Sequence, residues 1–371
     1  MNSENKRASW LELFYDLAFV ALVAQLTHIA VDYHSSWEDI FHIFIIGYSL
    51  FVAWWATTAN RNLQPKETTT DKLLIQLQMV TAFMMSVTMS GVFYGDYVGF
   101  FASLAALRLL QAFMLLKMYA VYPDTRPATY NIIQGFLLAA VLWFIAGFLP
   151  SPLHLVVATA ALAIDVLTPV TRGKGNTKRY LNVYHLQERL GLFLMLAIGE
   201  SMIVVALSNT ATELSLREPA VLFSGLLLMI ALWWLYFEHS DRHLGVRPKD
   251  LFIFLHAHAI LFGSLILISA GYKLLLTEPT DSGLLSVFVG ATGIAASIGV
   301  IRAMLYPLRG RAVIISTIVV LLFGIVFYFG FFQGRIISSV VGVSVLFTII
   351  ALLDYGNFFG KISKKIEKKL D

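Results

Sequence analysis

Glu12 and Asp16 stand four residues apart in the apolar stretch LELFYDLAFVALVAQL, a spacing that projects both carboxylates from one face of a helix. An ion in hydrocarbon costs several kcal/mol unless it is paired or wetted. Acids of this kind therefore bind a cation, carry a proton or close an ion pair. Glu12 also fits a cap at the helix N-terminus, where the dipole favours negative charge. Asp16 lies a full turn deeper, which leaves a pathway or binding role beside a structural ion pair. A second apolar stretch, HLQERLGLFLMLAIGESMIV, carries Glu188, Arg189, Glu200 and Ser201. Arg189 and Glu200 are eleven residues apart, so they fall near one helix face, roughly 16 Å from each other. Glu200, flanked by Gly199 and Ser201, is expected to be the most deeply buried acid.

The other intramembrane charges repeat in order. Glu12, Arg108 and Asp165 in the first half meet Glu188, Arg302 and Asp354 in the second, at offsets of 176, 194 and 189 residues. The pair Trp54-Trp55 meets Trp233-Trp234 at an offset of 179. An arginine stays charged in a protein and needs a partner at such depth. Arg108–Asp165 and Arg302–Asp354 pairs within each half are one solution. Pairing with Glu12, Asp16 or Glu188 is the other. Asp16 and Glu200 break the symmetry, because Leu192 and Ala24 stand at the matching positions, and both are candidates for a path.

The elements that must hold these groups are membrane spans. Of 371 residues, 58% are hydrophobic and only 13% charged, against about 25% charged in soluble domains. Apolar runs near twenty residues long place spans at 10–30, 40–59, 72–90, 98–117, 129–149, 151–171, 186–207, 219–238, 251–271, 284–305, 312–330 and 336–357. The third, with Gln76, Gln78, Thr81 and Ser86, is expected to lie buried among other helices. Of the 27 Lys and Arg, 21 lie on one side of this arrangement, three lie opposite and three lie within spans. The positive-inside rule then puts both termini in the cytoplasm. The chain reads as all-α: a polytopic transmembrane helical bundle of about 12 spans in two parallel six-helix repeats. Residues 1–180, including the linker 171–180, form the first repeat. Residues 181–371 form the second, with a basic cytoplasmic tail over 360–371 suited to anionic lipid headgroups.

Several chemistries are set aside. Without cysteine there is no disulfide, thiolate nucleophile or cysteine-held metal. No Walker, GxGxxG or GxSxG sequence is present. His256 and His258 are about 200° apart around a helix and cannot chelate one ion together. His239 and His243, with Glu238 and Asp241, have chelating i, i+4 spacing but fall at a solvated helix end. No metal, cofactor or catalytic residue is assigned. The basic residues sit at span ends, which favours membrane lipids over nucleic acid as the partner of the net +4 charge. Tyr33, Trp37, Trp54, Trp55, Tyr94 and Tyr97 read as interfacial aromatics.

WLELFYDLAFVALVAQL and HLQERLGLFLMLAIGESMIVV resemble the two signatures of the bacterial low-temperature-requirement A family, in the right order and span spacing. The resemblance implies a multi-pass protein of the bacterial inner (plasma) membrane, and makes Glu12, Asp16, Glu188, Arg189, Glu200 and Ser201 its family-like polar residues. Phe14-Tyr15-Asp16 also resembles the Phe-Ser-Asp opening of a potassium-channel family built from two six-helix repeats, with tyrosine replacing serine. The function expected is transport of a small ion or solute by an ion- or proton-coupled carrier or a channel, its path between the repeats. A lipid-modifying or lipid-handling protein, and a membrane sensor or assembly factor, are the alternatives.

Overall fold

The computed structural model describes residues 8–32, 37–64, 67–172, 182–208, 216–238, 248–277, 280–305, 322–326 and 334–355. Among them are α1 (Trp10–Asp32), α2 (Trp37–Leu63), α3 (Thr69–Thr88), α4 (Val98–Val121), α5 (Arg126–Ala146), α6 (Leu153–Arg172), α7 (Val183–Leu207), α8 (Arg217–Phe237), α9 (Pro248–Thr277), α10 (Asp281–Leu305) and α11 (Ile336–Tyr355). No strand occurs among the described residues. Ten of the helices are long and apolar enough to cross a membrane, and α6 contributes a shorter apolar segment, Leu153–Pro169. The expected span 312–330 lies largely outside the described residues, as do most of the linker 171–180, the tail and His239, Asp241 and His243.

Local chemistry starts and stops these helices. Ser9 Oγ accepts from the Glu12 amide at 3.3 Å, and Glu12 Oε2 accepts from the Ser9 amide at 2.8 Å, a reciprocal cap on α1. Thr68 and Asp71 cap α3 the same way, and Lys117 from the end of α4 reaches Asp71 Oδ1 at 2.8 Å. At the other end of α3 a 3-10 turn, Met89–Tyr94, closes on Gly95, whose φ of 86° lies in the left-handed region that glycine enters without strain.

The chain divides into two compact units. The first comprises Met1–Leu196 and Leu244–Ala259, so it holds α1 to α6 with the beginnings of α7 and α9. Within it α3 packs on α1 and α4, α5 lies between α4 and α6, and α2 packs on α1, α4 and α6. The second comprises Ala197–His243 and Ile260–Asp371. There α11 packs on α8 and α10, and α9 and α10 approach closely: a Cβ on Gly290 would stand 2.8 Å from the Ser264 carbonyl oxygen.

Burial runs opposite to that of a soluble protein. Leu73, Leu77, Val80, Phe83 and Val87 of α3 are exposed at helical spacing and make one apolar stripe. Gln78 on the other face is fully buried. This corrects the expectation for span three: of its four named polar residues only Gln78 is fully buried while Gln76 is exposed, so α3 keeps one face turned outward. Lipid hydrates no backbone or side-chain polar group, and polar groups are therefore gathered inside.

Candidate functional site

The first two turns of α1, the last turn of α2 and the first two turns of α7 bring Glu12, Asp16, Arg61, His185 and Arg189 together, all of them buried. Arg189 is the bridge. Its Nη1 stands 3.3 Å from Glu12 Oε1 and its Nη2 donates to Asp16 Oδ1. Trp54 Nε1 donates to the same Asp16 oxygen at 2.6 Å, while Asp16 Oδ2 accepts no hydrogen bond. Arg61 lies 3.9 Å from Glu12 and 3.2 Å from Glu67.

His185 faces Glu12 Oε2 at 3.6 Å. Its tautomer follows from its other neighbour. Asn62 Oδ1 accepts from the Asn182 amide at 2.8 Å, so Asn62 Nδ2 is the amino end. That group lies 3.2 Å from His185 Nδ1, which must then accept, leaving the ring proton on Nε2 toward Glu12. The Asn62–Asn182 exchange also pins the start of α7 to the end of α2.

A second polar system continues through the same unit. Tyr15 donates to Thr57 at 2.9 Å, and Thr57 donates to Gln78 Oε1 at 2.5 Å. Gln111 Nε2 reaches Thr57 at 3.0 Å and the Ala53 carbonyl at 2.7 Å, and Arg108 donates to Gln111 Oε1 at 2.7 Å. Arg108 then closes on Asp165 Oδ2 at 2.9 Å, an oxygen that also accepts from Trp143 Nε1 at 2.9 Å. Six helices are thus tied by one buried seam.

Of the sequence-derived charges, Arg108 and Asp165 meet as one of the two expected pairings had it. Glu12 and Asp16 share Arg189 instead. Arg302 donates to the Leu235 carbonyl at 2.7 Å, and the Asp354 side chain lies outside the described residues. Three expectations are corrected. Glu188 is exposed, because α7 turns Arg189 rather than its neighbour inward, so it does not match the buried Glu12. Glu200 is half-buried, and Asp16, Asp71, Asp165 and Glu12 are the deeply buried acids among the described residues. Trp54 is not interfacial: it is wholly buried and stacks on Phe193 at 4.3 Å. Ser201 is buried and returns its hydroxyl to the Ala197 carbonyl at 2.9 Å, a bond within its own helix.

Sequence reading passed over Trp54, Arg61, Asn62 and His185. Arg61 counted only as a cytoplasmic positive charge, yet it closes α2 beside Glu12. Trp54 was read as an interfacial aromatic at the end of span two; once buried, its indole N–H needs an acceptor.

With this geometry in hand, a family model described as "Bacterial low temperature requirement A protein (LtrA)" matches residues 7–354, nearly the whole chain. An uncharacterized protein of Rhizobium meliloti (strain 1021) is 24% identical over 309 residues, covering 76% of this chain and 73% of the relative. No solved structure matches.

Proposed function

This chain belongs to the bacterial low temperature requirement A family, and on that premise we propose that it is a transport protein of the bacterial inner membrane, a cation- or proton-coupled carrier or a channel. The observation that carries the proposal is the Arg189 bridge. One permanent cation is shared by two buried carboxylates, and a titratable imidazole touches one of them. Among the carboxylates and permanent cations, Glu12, Asp16 and Glu67 balance Arg61, Arg189 and Lys72. A proton or cation entering there changes that balance, and among the described residues neither Asp16 Oδ2 nor Glu12 Oε1 accepts a hydrogen bond. A buried group that can gain or lose charge in a membrane span is the usual mark of a pathway. The Arg108–Asp165 pair, one cation to one acid within a hydrogen-bonded seam, serves as scaffold.

The duplication supports the reading more loosely. In the first unit the second span, α2, packs on the sixth, α6; in the second unit α8 packs on α11, which stand at the same places in the proposed repeat. Glu200, half-buried on α7 in the second unit, is the other pathway candidate. Proteoliposomes given an imposed proton, sodium or potassium gradient without ionophore, with protein-free liposomes as the baseline, and read with a trapped pH dye and with sodium- and potassium-sensitive dyes, test the proposal. Wild-type protein should pass at least one of these cations, with Asp16→Asn reducing the rate at least about tenfold. No flux of any of the three, or full flux in both Asp16→Asn and Glu200→Gln, overturns it.

A further inference from the structure

At the opposite ends of the first six helices, the start of α2 and the turns α3–α4 and α5–α6 gather a different set of side chains. His42, in the second turn of α2, and His154, at the start of α6, are both fully enclosed, and their Nε2 atoms face each other at 2.7 Å. The exposed Glu38 stands one turn before His42 on α2. One ligand atom from each of Glu38, His42 and His154 lies within 4.8 Å of the others.

We propose that Glu38, His42 and His154 bind a divalent transition-metal ion, with zinc the best fit. Two imidazoles and a carboxylate are the donor set of open zinc sites, which keep a fourth position for water. Tetrahedral zinc at about 2.0–2.1 Å from each nitrogen holds the two about 3.3 Å apart, so the rings need to separate by roughly half an ångström. In the metal-free state one Nε2–H donates to the other Nε2. On binding, that ring moves its proton to Nδ1, and both lone pairs turn to the metal without net proton release. His42 Nδ1 has no hydrogen-bond partner, so it is open to carry a proton.

Ring packing and one hydroxyl hold the three donors in place. Tyr97 stacks on His154 at 3.8 Å and 15°, and on His42 at 5.9 Å. Phe93 meets the edge of His42 at 5.6 Å. Ser151 donates to Glu38 Oε1 at 2.6 Å, leaving Oε2 for a metal. A hydrogen-bonded imidazole pair needs no carboxylate beside it, and no serine aiming that carboxylate. Sequence spacing could not suggest this site, because its histidines are 112 residues apart.

Equilibrium dialysis of the detergent-purified full chain against buffered zinc, with metal counted by mass spectrometry and no polyhistidine tag, tests it. Wild type should bind one zinc ion per chain at micromolar free zinc or below, and zinc should raise its unfolding temperature. His42→Ala and His154→Ala should lose the ion. Glu38→Gln, exposed and able to keep the Ser151 bond, should fold normally yet bind at least about tenfold more weakly and lose the zinc-dependent thermal shift. His256→Ala should bind as wild type does. No stoichiometric zinc in wild type, or wild-type affinity in any of the three site variants, overturns the proposal.

Discussion

Arg189 contacts Glu12 and Asp16 together, so its removal strands two carboxylates in a buried site. Breaking a buried pair by deleting one partner costs about 3–5 kcal/mol. Arg189→Ala should therefore unfold far more easily in detergent than wild type, by thermal or denaturant melt. Arg189→Lys should fall between the two, since an ammonium is a point charge and cannot fork across two acids. Asp16 was legible from its depth in an apolar helix. Its partner was not: Arg189 lies 173 residues away, and nothing in the spacing says which arginine turns inward. Glu188 and Arg189 are adjacent in sequence, and only packing decides that the arginine is buried and the glutamate exposed. The same limit hid both tryptophan donors, Trp54 and Trp143, each of which shares one aspartate oxygen with an arginine.

Helices were the most legible part of the chain, because a run of about twenty apolar residues has few other structures open to it in a membrane. The faces of those helices were less so. In lipid both sides of a helix are apolar, and α3 shows the consequence: beyond its capping Asp71, its outward stripe and its inner face differ mainly by the buried Gln78. Close packing was similarly hidden until the glycines had neighbours. A Cβ at Gly290 would stand 2.6 Å from Ile268 Cγ1 and 2.8 Å from the Ser264 carbonyl oxygen, so α9 and α10 must part to admit it. Gly290→Ala should cost about 1–3 kcal/mol, as overpacking does, seen as a lower melting temperature in detergent. Gly263→Ala, with nothing within 4 Å of the added carbon, should leave it unchanged.

At the scale of the whole molecule, charge asymmetry sets the expected orientation, and the absence of native cysteine makes it simple to check. Asp96, in the turn before α4, and Arg126, just after it, are both exposed and lie on opposite sides of one span. With the N-terminus in the cytoplasm, Asp96→Cys should react with an impermeant maleimide in intact spheroplasts, and Arg126→Cys only after permeabilisation. The reverse pattern would invert the topology. The zinc site would then face the cytoplasm and the Arg189 cluster the outside. The central claim is that the Arg189 cluster moves charge while the Arg108–Asp165 pair holds the bundle together. Cation flux through proteoliposomes reconstituted with Asp16→Asn or Asp165→Asn, at equal amounts of folded protein, tests it most directly. Asp16→Asn should cut flux at least about tenfold, whereas Asp165→Asn should lower stability but keep flux per folded molecule. Equal flux in the two variants would contradict it.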